Sequence, residues 1–479
     1  MKVLLGACAA GCALAASSAS FESKWDPTNR RAAADAASAN ATLPVECELA
    51  VVGAGWGGAY LAWRLSVDDG TTVAPAGVCV FEANSRVGGR IYSVRDLPGF
   101  DDMALDVGGY RFQEKDLLPA QLVWDALKLP TACYDWRCAG GCEGDQNCYV
   151  VKDAYGNNRG YATPIETMLG QVEDLGEGTQ VFFGRELTGV YAGAGRGVEL
   201  AFADGSRVRA GRAVLNLPAN AIEALDGASV LFSDASAATC AALEDVHVGG
   251  MNKVYVYYDD AWWNSKLGLM EGTFEDADWG GGRAPFKGRY HDGPQKCVIG
   301  ADPSGAPVYS GEKVARGNCT GALEVYYSSR TTYYANFTTS LLEPLAVLSA
   351  ADARGDGADL LADVHAHLLD FHADALAAAG VDARAIAPPR VATVSNWVDD
   401  APGTPGIGAF EGTDAQRARV RAPTPDFELY VADQDYGYRS GWAVGSLQMA
   451  EKILQAELGI PKPAWLDDDW YEKNVVALP

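Results

Sequence analysis

LAVVGAGWGG at residues 49–58, followed by VCVFEANSRVGGR at 78–90, decides the fold of this chain. The first stretch is an apolar run entering G-x-G-x-x-G, with Gly53, Gly55 and Gly58 in the three glycine places. The second is a shorter apolar run ending in an acid, Glu82. Strand, glycine turn, helix, strand and acid in that order describe a dinucleotide site on a parallel α/β sheet. Gly53 allows the tight turn, Gly55 lets the backbone approach a pyrophosphate, and Gly58 lets the helix pack close to the sheet. The helix N-terminus offers free N–H groups and a positive dipole end to the phosphates. Glu82 is placed to accept hydrogen bonds from the adenosine ribose hydroxyls.

The residues after Glu82 separate one dinucleotide from another. Gly88 and Gly89 stand beside Arg90, and LDVGGYR at 105–111 brings Gly108 and Gly109. Together they add N–H donors and a fixed cation near the same pyrophosphate. These motifs resemble the signature of the flavin amine oxidase superfamily, which includes monoamine, polyamine and L-amino acid oxidases. The resemblance is greatest to the secreted L-amino acid oxidases and spans most of 46–456. It implies FAD rather than a dissociating nicotinamide. It also implies an α/β fold: a Rossmann-type FAD-binding domain, parallel sheet with helices, joined to a mixed-sheet substrate domain.

The chain has 63 acids against 38 bases, a formal net charge of −25. A field of that sign opposes binding to nucleic acid or an anionic membrane. Residues 1–20 carry one Lys, an apolar run and small residues, the pattern of a secretory signal peptide. No later stretch is long and apolar enough for a membrane span. Three N-x-T sites, at Asn40, Asn318 and Asn336, agree with export. Cys133, Cys138, Cys142 and Cys148 cluster in a Gly-rich polar segment, which in an oxidising compartment favours a two-disulfide loop over zinc. Cys297 and Cys319 are candidates to pair. Cys79, inside an apolar strand, is expected to be a buried thiol. The cysteines beyond the leader are odd in number, so at least one stays unpaired or bridges chains. The sequence is compatible with an oligomer.

The expected organisation is a signal peptide (1–20), a disordered lead-in (21–45), and a first FAD-binding part (46–112). Next come a helical and Cys-rich insert (113–180) and a return to the FAD domain (181–249). A substrate domain (250–389) and a C-terminal FAD-binding part with tail (390–479) complete the chain. Alternation and the Asp204-Gly205 turn predict antiparallel strands over 178–218. GMNKVYVYYDDAWW at 250–263 predicts a strand, and 357–380 an amphipathic helix ending near Gly380. His365, His367 and His372 on that helix are read as a solvated face.

Lys253 is the sharpest catalytic candidate, because a Lys in an apolar, aromatic strand is costly unless hydrogen-bonded or paired. The resemblance implies that it holds a water beside flavin N5. FELYVADQDYGYRSGWAVGSL at 427–447 resembles the family's C-terminal flavin segment. Asp433 departs from it where Gly is usual, and Asp435 sits where the acid is expected. Backbone donors near Ala443 and Val444 would face the flavin pyrimidine, and Leu187 matches a position that touches the adenosine. Arg111 lies where the L-amino acid oxidases carry an Arg, whose guanidinium would grip a substrate carboxylate bidentately. Its bland alternative is a salt bridge with Asp106 or Glu114. Gly441 and Trp442 match the Gly-Trp of those oxidases: the Gly441 carbonyl would accept the substrate amino N–H, and Trp442 would wall the side-chain path. Ile407 takes an aromatic-cage position, and Tyr326 the place of a hydroxyl near the carboxylate. No Cys lies near 407, so the FAD is expected to be non-covalent.

The resemblance thus implies an oxidase that removes the Cα hydrogen of an L-amino acid as hydride. The products would be a 2-oxo acid, ammonia and, after reoxidation by O2, H2O2. The alternatives are a polyamine or primary amine oxidase, and a non-catalytic secreted flavin-binding protein.

Overall fold

Strand β1 (Glu46–Val52) is buried from Leu49 onward. In a computed structural model of the chain it lies inside the sheet, between two parallel neighbours. A strand flanked and covered in this way reads as a continuous apolar run rather than an alternating one. The structure describes residues 43–479 except 69–76, 96, 98–99, 101–102, 135–147, 153–155, 175–179, 277–282, 291–292, 294, 330–332, 335–343, 350–355 and 398–405. The leader, nearly all of the lead-in, the Asn40 and Asn336 sites, and Cys138 and Cys142 lie outside the described residues.

The first sheet continues with β2 (Val78–Phe81), β3 (Gln180–Phe182), β4 (Leu187–Ala192), β5 (Val198–Phe202) and β6 (Arg207–Leu215). Its order is β3-β2-β1-β6-β5-β4, and Leu429–Val431 pairs with the end of β6. The β3-β2-β1-β6 part is parallel and β6-β5-β4 is an antiparallel meander. The antiparallel expectation therefore holds for β4 to β6, with Gly205 at φ 82° in the turn. It fails for β3, which comes after the helix α2 (Thr163–Asp174) and so reaches β2 by a crossover.

Helix α1 (Trp56–Ser66) leaves the glycine turn and is buried along nearly its whole length. It must therefore be covered on every side. It lies against α2 and α3 (Ala443–Ala456), and α3 brings the C-terminal flavin segment to the glycine turn.

The second sheet centres on β7 (Met251–Tyr258), which runs antiparallel between β8 (Cys319–Ser328) and β9 (Val391–Trp397). Tyr255 and Tyr257 pack on one face with Tyr92, Leu105 and Val107. Val254 and Val256 pack on the other, under Leu360, Leu361, Val364 and Leu368 of the helix Asp356–Phe371. The solvated-face reading of the histidines is corrected here. His367 and His372 are buried, His372 beside the Tyr290 hydroxyl, while His365 Nδ1 lies 3.1 Å from the Tyr258 hydroxyl.

Cys79 is likewise not a free thiol: it is bonded to Cys47, clasping β2 to β1. Cys297 and Cys319 pair as expected, and Cys133 and Cys148 are both disulfide-bonded. The free cysteine among the described residues is buried Cys240.

Candidate active site

The nucleotide cradle forms where β1 turns into α1. Gly53 has φ 99° and donates to the Phe81 carbonyl at 2.7 Å. A Cβ there would fall 2.3 Å from the Asn216 carbonyl oxygen, and one at Gly58 would fall 1.8 Å from that of Gly53. Gly55 differs: a Cβ would meet no protein atom closer than 3.7 Å. Glycine there opens space rather than relieving a clash. Gly55 is also the N-cap of α1 and brings no side chain of its own to cap it. An open cradle before the first N–H groups of α1 fits a diphosphate. Glu82 lies beside it, accepting from Ala54 N at 2.8 Å and Asn84 N at 2.9 Å. Leu187 starts β4 close to this acid, since Arg185 N donates to the Glu82 carbonyl. Asn216, which the sequence reading missed, accepts from Gly58 N at 2.9 Å and donates to the Ala432 carbonyl. Its only signal is a polar residue directly after the apolar run AVL.

Gly88 N donates to the Ala54 carbonyl at 2.9 Å, so the second glycine pair lies on the first. Arg90, next to it, holds Asp435 with one Nη and Asp433 with the other. Asp435 also accepts from Ala219 N at 3.0 Å. Burial pushes the Asp433 carboxyl up to about 6; Arg90 opposes the shift and Asp435 adds to it. Burial disfavours the charge on Arg90, but the two carboxylates more than offset this and raise its pKa. The departure at Asp433 thus completes an ion cluster rather than leaving a lone buried acid.

The second sheet supplies Lys253. It is 2% exposed, and its Nζ donates to the carbonyls of Asp106 at 3.2 Å and Gly108 at 2.7 Å. An ammonium has three donors, so one N–H remains. The Nζ stands 3.7 Å from the Tyr110 ring centroid and 5.3 Å from that of Tyr327. Burial lowers its pKa to about 8; Glu324 and Asp106 hold it up, while Arg111 and Arg289 press it down. Ser395 Oγ and Trp397 Nε1, from β9, both donate to the Val107 carbonyl at 2.8 Å and fix the segment that carries these acceptors. Gly109 N donates to the Arg90 carbonyl at 3.1 Å, joining this segment to the cradle.

Arg111 is 9% exposed and forms no ion pair or hydrogen bond with any described residue; its Nη1 is buried without a partner. Its guanidinium carbon lies 4.4 Å from the Tyr134 ring centroid, 4.8 Å from Tyr110 and 5.8 Å from Trp442. The Asp106 carboxylate is held instead by Ser93 Oγ and Tyr161 N. A buried cation walled by three aromatic faces and left with an unused donor is shaped for an anion.

Tyr326 does not join this group. It is 1% exposed and packs on Tyr334 in the second core. Successive strand residues point to opposite faces, so its neighbour Tyr327 meets Lys253 and Tyr110 instead. Gly441 has φ 76°, donates to Gln434 Oε1, and would place a Cβ 3.3 Å from Ile407 Cγ2. Ile407 and Gly441 are thus neighbours, and Trp442, next in the chain, has its ring 5.8 Å from the Arg111 guanidinium carbon. Trp442 is also the N-cap of α3, whose first residues are Ala443 and Val444, and no side chain caps it.

A family model described as flavin containing amine oxidoreductase matches residues 140–432, and one for an NAD(P)-binding Rossmann-like domain matches 51–127. No curated protein sequence matches the chain. Among solved structures, wild-type putrescine oxidase bound to putrescine superposes with a TM-score of 0.55 at 15% identity, over 86% of this chain and 99% of that one. A triple mutant from the redesign of its cofactor binding gives 0.55 at 14% identity, over 86% and 99%. At such identity the likeness is one of fold.

Proposed function

This chain belongs to the flavin-containing amine oxidoreductases, and on that footing we propose that it is an oxidase of L-amino acids. Its cofactor is FAD, held non-covalently in our reading. The products are a 2-oxo acid, ammonia and H2O2, with O2 as the electron acceptor. When bound, FAD supplies the two-electron chemistry. The chain supplies placement. The Gly53–Gly58 turn and the Gly88–Arg90 loop hold the diphosphate, Glu82 the ribose, and Leu187 flanks the adenosine. The N-terminus of α3, which no side chain caps, would favour negative charge placed before it.

The observation that carries the amino acid reading is Arg111, a buried guanidinium with an unused Nη1 inside an aromatic wall. It takes the substrate carboxylate. The Gly441 carbonyl accepts the substrate amino N–H, and Trp442 and Ile407 border the side chain. Tyr327, rather than Tyr326, borders the reacting carbon. Lys253 orients a water with its remaining N–H.

The structural neighbour that binds putrescine favours a second reading, an amine oxidase. A diamine carries two positive charges, and here it would meet Lys253, Arg111 and Arg289 together. That repulsion is why the amino acid reading is preferred. Two disulfides in the described residues and the leader-like N-terminus support export. No helix among the described residues is long and apolar enough to cross a membrane.

The deciding experiment is a peroxide-coupled assay of each amino acid beside the amine made by its decarboxylation. Turnover of amino acids with little turnover of the matching amines is expected. The reverse order moves the enzyme to the amine oxidases, and a colourless protein without flavin removes both readings.

A further inference from the structure

Trp442 is one of the three rings that wall Arg111, and a second guanidinium faces it. The Arg439 guanidinium carbon lies 5.4 Å from the Trp442 ring centroid, which Arg111 approaches at 5.8 Å. The other two walls support one another, for the Tyr110 and Tyr134 hydroxyls lie 3.4 Å apart. Trp442 packs beside Tyr134 and Cys148, but its ring makes no hydrogen bond to a described residue. The two guanidinium groups are its polar neighbours.

Arg439 is itself anchored at both ends. Its Nη1 lies 3.0 Å from Asp116 Oδ1, and its Nη2 donates to Gln113 Oε1. Both partners follow closely after Arg111 in the chain, and Asp116 is the N-cap of the short helix Leu117–Gln121. The Asp116 carboxylate is buried; burial pushes its pKa up, and Arg439 and Lys115 pull it down. The Arg439 backbone packs on the start of α3, where a Cβ on Gly445 would fall 2.3 Å from the Arg439 carbonyl oxygen. One side chain thus ties the segment that carries Arg111 to the segment that carries Gly441 and Trp442. A planar guanidinium can hold two acceptors along its edge and still offer a face to a ring, which an ammonium cannot.

We propose that Arg439 is a positioning residue for substrate binding: it holds Trp442 at the Arg111 wall and so keeps water from the contact with the substrate carboxylate. The inference rests on the amino acid reading. Arg439 spends its charge on Asp116 and acts through the Trp442 ring, not on the substrate. With the ring released, water reaches Arg111 and the carboxylate contact weakens. The reacting carbon, bordered by Tyr327 and Lys253, keeps its surroundings. The loss therefore falls on KM rather than on kcat.

The test uses holoenzymes and the L-amino acid that the parent turns over with the highest kcat/KM. Arg439→Gln should raise KM by about tenfold and leave kcat within roughly twofold, with flavin content unchanged. Arg439→Lys, which keeps the ion pair without the fork, should fall between parent and Arg439→Gln. A double-mutant cycle asks whether the effect passes through the ring: in a Trp442→Leu background, Arg439→Gln should change KM by less than about twofold. A KM increase that persists in full in that background overturns the proposal, and so does a fall in kcat with KM unmoved. Should Arg439→Gln fail to fold, Arg439→Lys and Asp116→Asn carry the test, and an unchanged KM in both overturns it. Each of these results leaves the amino acid reading intact. A parent that turns over decarboxylated amines faster than any amino acid overturns that reading and this inference with it.

Discussion

The ammonium of Lys253 donates to the carbonyl of Gly108 at 2.7 Å. That contact ties the second sheet to the glycine pair of VGGYR, whose next residues are Tyr110 and Arg111. One segment therefore carries the acceptors of the central lysine, the ring beneath its ammonium and the anion-seeking guanidinium. Misplacing either partner would disturb the other.

Lys253→Met should keep FAD, because Lys253 bonds to none of the Gly53–Gly58 turn, Glu82 or the Gly88–Arg90 loop. It should slow the flavin half-reactions by on the order of a hundredfold, the usual worth of a positioned proton-handling group. Burial lowers the Lys253 pKa to about 8, so a titration near pH 8 in the parent rate profile should be absent from the variant. Unchanged half-reaction rates in stopped-flow would show the lysine to be purely structural.

Asp433 predicts pH-dependent cofactor affinity. Its carboxyl, pushed up to about 6 by burial, shares Arg90 with Asp435 beside the phosphate cradle. A diphosphate brings negative charge, which favours the protonated acid and takes up a proton on binding. The Kd of apoprotein for FAD, followed by fluorescence quenching, should therefore rise as pH climbs through about 6. Asp433→Asn should bind more tightly at pH 8 and flatten the curve. A parent Kd independent of pH between 5 and 8 would refute this.

Much of this was legible, and the failures have physical reasons. The β1 turn, Glu82 and β7 were readable because glycine spacing and alternation report backbone geometry directly. Tyr326 was misplaced by one residue, and in a strand one residue is the opposite face. The Cys47–Cys79 bond was missed because both lie in buried strands whose pairing no local pattern gives. The three helix histidines were misread because the bulky rings of Tyr258, Tyr290 and Phe286, distant in sequence, cover them. Arg439 carried no signal, since its partners Gln113 and Asp116 come from a segment distant in sequence.

A buried acid away from the site gives a stability prediction. Glu451 of α3 accepts from the Tyr60 hydroxyl at 2.7 Å and lies 3.5 Å from Arg64. Burial, opposed by Arg64 and the Tyr60 hydrogen bond, pushes its carboxyl up to about 7 from 4.5. A folded-state pKa above the unfolded one means a contribution complete below pH 4.5 and lost as pH rises through about 7. The parent Tm should fall from pH 5 to pH 8 more steeply than that of Glu451→Gln. Parallel curves for the two proteins would assign the pH dependence elsewhere.

The central claim is that Arg111 binds a substrate carboxylate, and one comparison tests it most directly. The kcat/KM of parent and Arg111→Ala is measured for the best amino acid and for the amine made from it by decarboxylation. One charge-assisted hydrogen bond is worth on the order of 1.5–3 kcal/mol, so the variant should lose roughly ten- to a hundredfold or more on the amino acid. The amine should be a poor substrate for the parent and change little in the variant. A parent that prefers the amine, or an Arg111→Ala enzyme that loses both substrates equally, would contradict the account.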